Sequence, residues 1–90
     1  MENSNREFLL EGKPVGYFTD QDYPSAAGRY RYSPHRSAAH YEMQRLVQAG
    51  AGPRCYYETD TVRVFFTVHD CPEYGVLELG DFHSERRNDG

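Results

Sequence analysis

Three side chains that could do chemistry together are adjacent at one point in the sequence. His69, Asp70 and Cys71 offer a nitrogen, an oxygen and a sulfur atom within three residues. With His69 as the base, Cys71 would be a nucleophile, but a reactive thiol needs a positive environment. Asp70 and Glu73 are expected to raise the pKa of the thiol instead. The sequence therefore favours an unreactive thiol here.

Metal binding would have to use the four histidines, which are His35, His40, His69 and His83. Zinc usually takes four ligands, commonly supplied by spaced pairs such as CxxC or HxxxH. Neither spacing occurs, and two side chains five residues apart on a helix diverge, so His35 and His40 share a metal only if His35 precedes the helix. We therefore expect no metal, no cofactor and no catalytic residue.

Cations and aromatic rings concentrate between residues 28 and 41. Arginine forks and a helix N-terminus both favour an anion such as phosphate or carboxylate, and tyrosine adds a stacking face. The candidate binding residues are Arg29, Arg31, Tyr32, His35, Arg36 and His40. The alternative is structural, because the alternation of residues 29–32 would place the tyrosines in the core and the arginines in solvent.

The overall charge argues against an indiscriminate binder of nucleic acid or anionic membranes. Ten basic residues against fourteen acidic ones give a net charge of −4. The stretch 29–63 is the exception, with six arginines against three acids. Nine of the ten cations are arginine, which suits bidentate contacts to anions, although a biased genome would give the same ratio.

A second candidate surface is aromatic. Tyr56 and Tyr57 are adjacent on one predicted strand, so one of the two rings must point away from the core. Phe65, on the outward face of the next strand, could pair with that ring. Tyr56, Tyr57 and Phe65 are therefore the candidate interface residues. A six-stranded sheet covered by one helix would also leave a face that dimerisation protects.

Local patterns predict six strands around one helix. Two strands at 7–11 and 15–19 flank the turn Gly12-Lys13-Pro14, and a third covers residues 29–32. A helix over 34–49 is expected to begin at Ser33-Pro34, to present Ala39, Met43, Leu46 and Val47 as one apolar stripe, and to end at Gly50. Strands at 54–58 and 62–69 form a hairpin with Thr59-Asp60-Thr61 at its tip. A turn at 70–75 and a last strand at 76–79 with a bulge at Gly80 complete the chain.

The order βββαβββ indicates an α+β fold in which an antiparallel sheet of about five or six strands packs against one helix. The length predicts one domain over residues 1–90, with frayed ends at 1–5 and 85–90. The predicted hairpin places Cys55 opposite Phe66 and far from Cys71, so both thiols are expected to be reduced. With no membrane-length apolar run and no secretory signal pattern, we expect a cytoplasmic protein.

Three functions remain open at this stage. The first is a non-enzymatic module that binds itself or another protein through its sheet face. The second is a small-anion or nucleotide site at residues 28–41, with hydrolytic activity as one option. The third is binding of single-stranded RNA, because arginine and aromatic rings on a sheet form its usual surface. The usual aromatic motifs of such domains are absent, so nucleic acid ranks last.

Overall fold

Six antiparallel strands and one helix make up the part of the chain that the computed structural model describes, residues 7–19 and 23–87. The strands are β1 (Glu7–Leu10), β2 (Lys13–Phe18), β3 (Gly28–Pro34), β4 (Arg54–Glu58), β5 (Val62–Glu73) and β6 (Val76–Arg86), and the helix is α1 (Ala38–Gln48). Their order confirms the predicted α+β class and antiparallel sheet. The expected fraying of residues 1–5 falls outside the described residues.

The sheet closes into a barrel in the order β1-β2-β3-β6-β5-β4, because β4 also pairs with β1. Phe8 lies opposite Tyr57 and Leu9 opposite Tyr56 at this junction. The inner face of every strand therefore contributes to the core of its own chain. The expectation of an uncovered sheet face is wrong, since it assumed an open sheet.

Aromatic rings fill the interior of the barrel. Phe8, Phe18 and Phe66 are fully buried, with ring centroids 4.6 Å apart for Phe8 and Phe18 and 5.9 Å apart for Phe18 and Phe66. Val64, Phe66 and Val68 alternate along β5 and all point inward. These residues account for much of the apolar burial that stabilises the fold.

Helix α1 begins later than the sequence predicted. Ser37 is the N-cap, and its Oγ accepts a hydrogen bond from the backbone N–H of His40 at 3.2 Å and donates one to the carbonyl of Pro14 at 3.1 Å. Ser33 and Pro34 instead end β3, where they pair with Tyr17 and Gly16 of β2. The predicted start at Ser33-Pro34 is therefore wrong, because strand pairing takes these two residues.

The apolar stripe and the end of α1 are confirmed. Ala39 and Met43 are buried, and Leu46 and Val47 pack against the core. Gly50, with φ +74°, follows the C-cap and ends the helix, as glycine past the last turn commonly does. The eleven-residue α1 is too short to cross a bilayer, and no other helix of the described residues could do so.

The two ends of the barrel are covered by different parts of the chain. At one end, α1 joins β3 to β4 and packs on β1, β2 and β5. At the other end, the ring of Tyr23 stacks on that of Tyr57 with centroids 4.3 Å apart. The hydroxyl of Tyr57 donates a hydrogen bond to the carbonyl of the buried Pro24 at 2.7 Å.

The first hairpin turns more tightly than predicted. Its turn is Glu11-Gly12, and both residues have positive φ, 53° and 82°. Two such residues are typical of the two-residue turns that match the twist of paired strands. Lys13 and Pro14, predicted as turn residues, therefore belong to β2 and pair with Leu10 and Leu9.

The last hairpin is longer than predicted. The predicted turn at 70–75 is wrong, since β5 continues to Glu73 and only Tyr74 and Gly75 form the turn. The bulge predicted near Gly80 is confirmed by a register shift and by Asp81, whose φ is 54°. Strand β6 reaches Arg86, so the chain does not fray from Glu85 as expected.

Candidate functional site

Four side chains lie next to each other on the outside of the barrel, one on each of four neighbouring strands. Leu9 of β1 pairs with Tyr56 of β4, Tyr56 pairs with Phe65 of β5, and Phe65 pairs with His83 of β6. Neighbouring strands are about 4.8 Å apart, so this outer row extends roughly 14 Å across the strands. Three of its four members, Leu9, Tyr56 and Phe65, are apolar or aromatic side chains that barrel closure leaves outside.

The centre of the outer row is a ring pair. The centroids of Tyr56 and Phe65 are 5.4 Å apart and both rings are half-buried. The guanidinium carbon of Arg63 lies 5.4 Å from the centroid of Tyr56, which is within cation–π range. Of the two adjacent tyrosines, Tyr56 is the outward one. Tyr57 is only 4% exposed and belongs to the core, so it cannot be an interface residue.

A shallow groove of about 370 Å³ runs along this row. Its lining residues are Glu11, Arg54, Tyr56, Phe65, His83 and Glu85. Arg54 donates hydrogen bonds to Thr67 Oγ1 at 2.9 Å and to the carbonyl of Asp81 at 3.1 Å. On the opposite side of the row, Arg63 donates to Glu58 at 2.7 Å. Fixed charges of both signs therefore border an apolar centre.

The cluster predicted at residues 28–41 does not converge on one site. Arg29 and Arg31 are exposed on the outside of β3, opposite Glu78 and Val76 of β6. Arg36 is exposed in the segment before α1. His35 Nε2 lies 3.0 Å from a carboxylate oxygen of Glu7. The remaining two candidates point into the protein.

Tyr32 and His40 form a buried pair between β3 and α1. Tyr32 Oη and His40 Nε2 are 2.9 Å apart, and His40 is 2% exposed. Burial, and secondarily the nearby His35, lowers the pKa of His40, so the ring is neutral at pH 7. Burial also raises the pKa of Tyr32, with smaller contributions from Cys71 and Tyr74. These two predicted binding residues contribute to packing rather than to an open site.

A bulge in β5 brings Cys71 to this buried pair. The register shifts between Val68 and Asp70, so Asp70 is exposed while Cys71 packs against the core. The Cys71 thiol donates to the carbonyl of Glu73 at 3.5 Å. Burial raises the pKa of the Cys71 thiol. A hydrogen bond with Tyr32 lowers this pKa, but its effect is smaller than that of burial.

The bulge also separates the two residues considered for nucleophilic chemistry. His69 is exposed and lies 3.2 Å from a carboxylate oxygen of Asp81, whereas Cys71 faces the core. Cys55 and Cys71 are both free thiols, and Cys55 pairs with Phe66 as predicted. The cluster of Tyr32, His40 and Cys71 was missed because alternation along β5 gives no sign of the bulge.

A cavity of about 550 Å³ lies at the end of the barrel near Tyr23. Glu7, Glu58 and Asp60 line it, but Glu7 is held by His35 and Glu58 by Arg63. Among residues 7–19 and 23–87, no three histidine, cysteine or carboxylate groups are arranged to hold a metal ion.

Comparison with known proteins gives no relative, since no family model, no curated protein and no solved structure matches this chain.

Proposed function

We propose that this protein is a non-enzymatic binding module of the cytoplasm that associates with a second copy of itself through the outer row. The observation that carries the proposal is the Tyr56–Phe65 ring pair, half-buried on the outside of a barrel whose core is already complete. Aromatic rings bordered by charged residues are typical of the centre of a protein interface.

The charges around the row favour a second copy as the partner. A surface that binds its own copy must be complementary to itself, and a border of one sign would repel its copy. Arg54 lies on one side of the row and Glu58 on the other, and Arg63 adds a cation on the side of Glu58. The residues that border the row therefore carry charges of both signs. A strongly charged partner would instead favour a border whose charges all have the opposite sign to its own.

A small-anion site has less support from the geometry. Of its six candidate residues, Tyr32 and His40 are buried and His35 is held by Glu7. Arg29 and Arg31 are both exposed on the outer face of β3. Small ligands usually bind in concave pockets where a few polar groups fix their orientation. If phosphate raised the melting temperature and Arg31→Ala abolished the rise, this function would replace the one proposed.

Sedimentation equilibrium over a wide range of protein concentration tests the proposal. We expect the mass to rise from 10.4 kDa towards twice that value at micromolar protein. Phe65→Glu should keep the chain monomeric, because it places a charge at the centre of the contact. Tyr74→Glu is the matched control, since Tyr74 is 75% exposed in the β5–β6 turn and lies outside the row.

A wild-type mass that stays at 10.4 kDa throughout would overturn the proposal. Dimers that survive Phe65→Glu would also overturn it, because the contact would then lie elsewhere. Circular dichroism of each variant establishes that it is folded before its mass is interpreted.

A further inference from the structure

We infer that the two copies pack with their two-fold axis along the outer row, so that Arg54 of each copy faces Glu58 of the other. The inference rests on the proposed function and adds to it the register and the ion pairs that select the partner. It follows from the positions of three outward residues on one strand.

Arg54, Tyr56 and Glu58 alternate outward along β4, so the two charges stand at equal distances on opposite sides of Tyr56. At about 3.3 Å per residue, each charge is roughly 6.6 Å from the row. A two-fold axis along the row exchanges its two sides. It therefore places Arg54 against Glu58 of the second copy, and Glu58 against Arg54 of the second copy.

The same operation is compatible with the neighbouring strand. Phe65 of each copy lies on the axis and faces Phe65 of the other. Arg63 faces Thr67 of the second copy, whose hydroxyl accepts a hydrogen bond from Arg54 of that copy. Glu58 of each copy then lies between two arginines, Arg63 of its own chain and Arg54 of the other. A barrel of six strands curves strongly, so the contact centres on β4 and β5, and β1 and β6 fall away from it.

Other orientations of the axis are less favourable. An axis parallel to β4 and passing over Tyr56 would place Arg54 against Arg54 and Glu58 against Glu58. Like charges in contact across an interface oppose association. The axis along the row is the one that pairs opposite charges on β4 twice.

Two charge reversals used separately and mixed give a direct test. Arg54→Glu leaves two acidic residues beside Tyr56, and Glu58→Arg leaves two basic ones. Each variant alone should self-associate about tenfold more weakly or worse, because two facing pairs become repulsive. An equal mixture should form a heterodimer at least as tight as the wild-type dimer, since both facing pairs are then attractive.

Sedimentation of wild type, each variant and the mixture separates the outcomes. If wild type dimerises but the mixture stays monomeric, the register is wrong and the proposed function still stands. If wild type is monomeric, both the register and the proposed function are wrong.

The matched control is Arg29→Glu, a charge reversal outside the row. A mixture of Arg29→Glu with Glu58→Arg should not recover association. Recovery there would mean that net charge alone drives assembly, and would overturn the inference.

Discussion

Tyr32 and His40 are joined by a hydrogen bond of 2.9 Å between the phenol oxygen and Nε2, in the joint between β3 and α1. The groups that face His40 are Tyr32 from β3, Tyr74 from the β5–β6 turn, and Tyr41 and His35 from its own segment, with Cys71 of β5 behind Tyr32. No carboxylate of the described residues pairs with His40. A proton on this ring would therefore be a buried charge without a counterion.

The free energy of unfolding should decrease in mildly acidic solution. The pKa of His40 is lowered in the folded state from its ordinary value of 6.5, so the unfolded chain binds the proton first as the pH falls. Stability is complete above about pH 6.5, falls below it, and levels off under the folded pKa. Urea unfolding between about pH 8 and 5 measures this slope.

His40→Gln should remove most of that slope. His69→Gln makes the same substitution at an exposed histidine and is the matched control. If His40→Gln keeps the wild-type slope, another group is responsible for the acid sensitivity. Should the variant not fold, the imidazole resonances of wild type followed by NMR report the titration of His40 directly.

The two thiols should differ in reactivity. Cys55 is fully buried and burial raises its pKa to about 12, whereas Cys71 is half-buried. We expect the native protein to react with a disulfide reagent slowly and only at Cys71, faster at higher pH because its pKa is also raised. Cys71→Ser should abolish the native reaction. Modification of Cys55 without unfolding would contradict the packing described around it.

A methyl group at Gly16 should disturb the contact between β2 and β3. A Cβ there would lie 2.6 Å from the carbonyl oxygen of Ser33 and 3.1 Å from Pro34 Cα, both backbone atoms. Gly16→Ala is therefore expected to destabilise the protein by about 1–3 kcal/mol. Gly28→Ala, whose Cβ would meet Tyr30 at 3.7 Å, should change stability by less than about 0.5 kcal/mol. Urea unfolding of both variants decides between them.

Two serines test where the helix begins. Ser37→Ala removes the N-cap and the bond to Pro14, and should cost about 1 kcal/mol. Ser33→Ala is the control, because Ser33 lies in β3. If Ser33→Ala lowered the free energy of unfolding more than Ser37→Ala, the helix start at Ser33-Pro34 that the sequence predicts would be favoured.

The element order and the β4–β5 register were predictable because they follow from neighbouring residues. Cys55 lies opposite Phe66 once the tip at Thr59–Thr61 is recognised. Ser33-Pro34 and Ser37 are both good helix starts, and only the pairing of β2 with β3 decides between them.

Barrel closure and the outer row were not predictable in the same way. Closure depends on contacts between Phe8 and Tyr57 and between Leu9 and Tyr56, which are far apart in the chain. Alternation predicted that one of two adjacent tyrosines points outward. It could not tell which one, and it gave no sign that Leu9 joins Tyr56 on the outside.

The junction between β1 and β4 is the shortest strand pairing described above. It comprises two residue pairs. While it is closed, the edges of β1 and β4 that face each other are not available to another chain. Parting these two strands would expose two edges while the rest of the sheet is still intact. We therefore expect fibril formation to depend on the opening of this junction more than on complete unfolding.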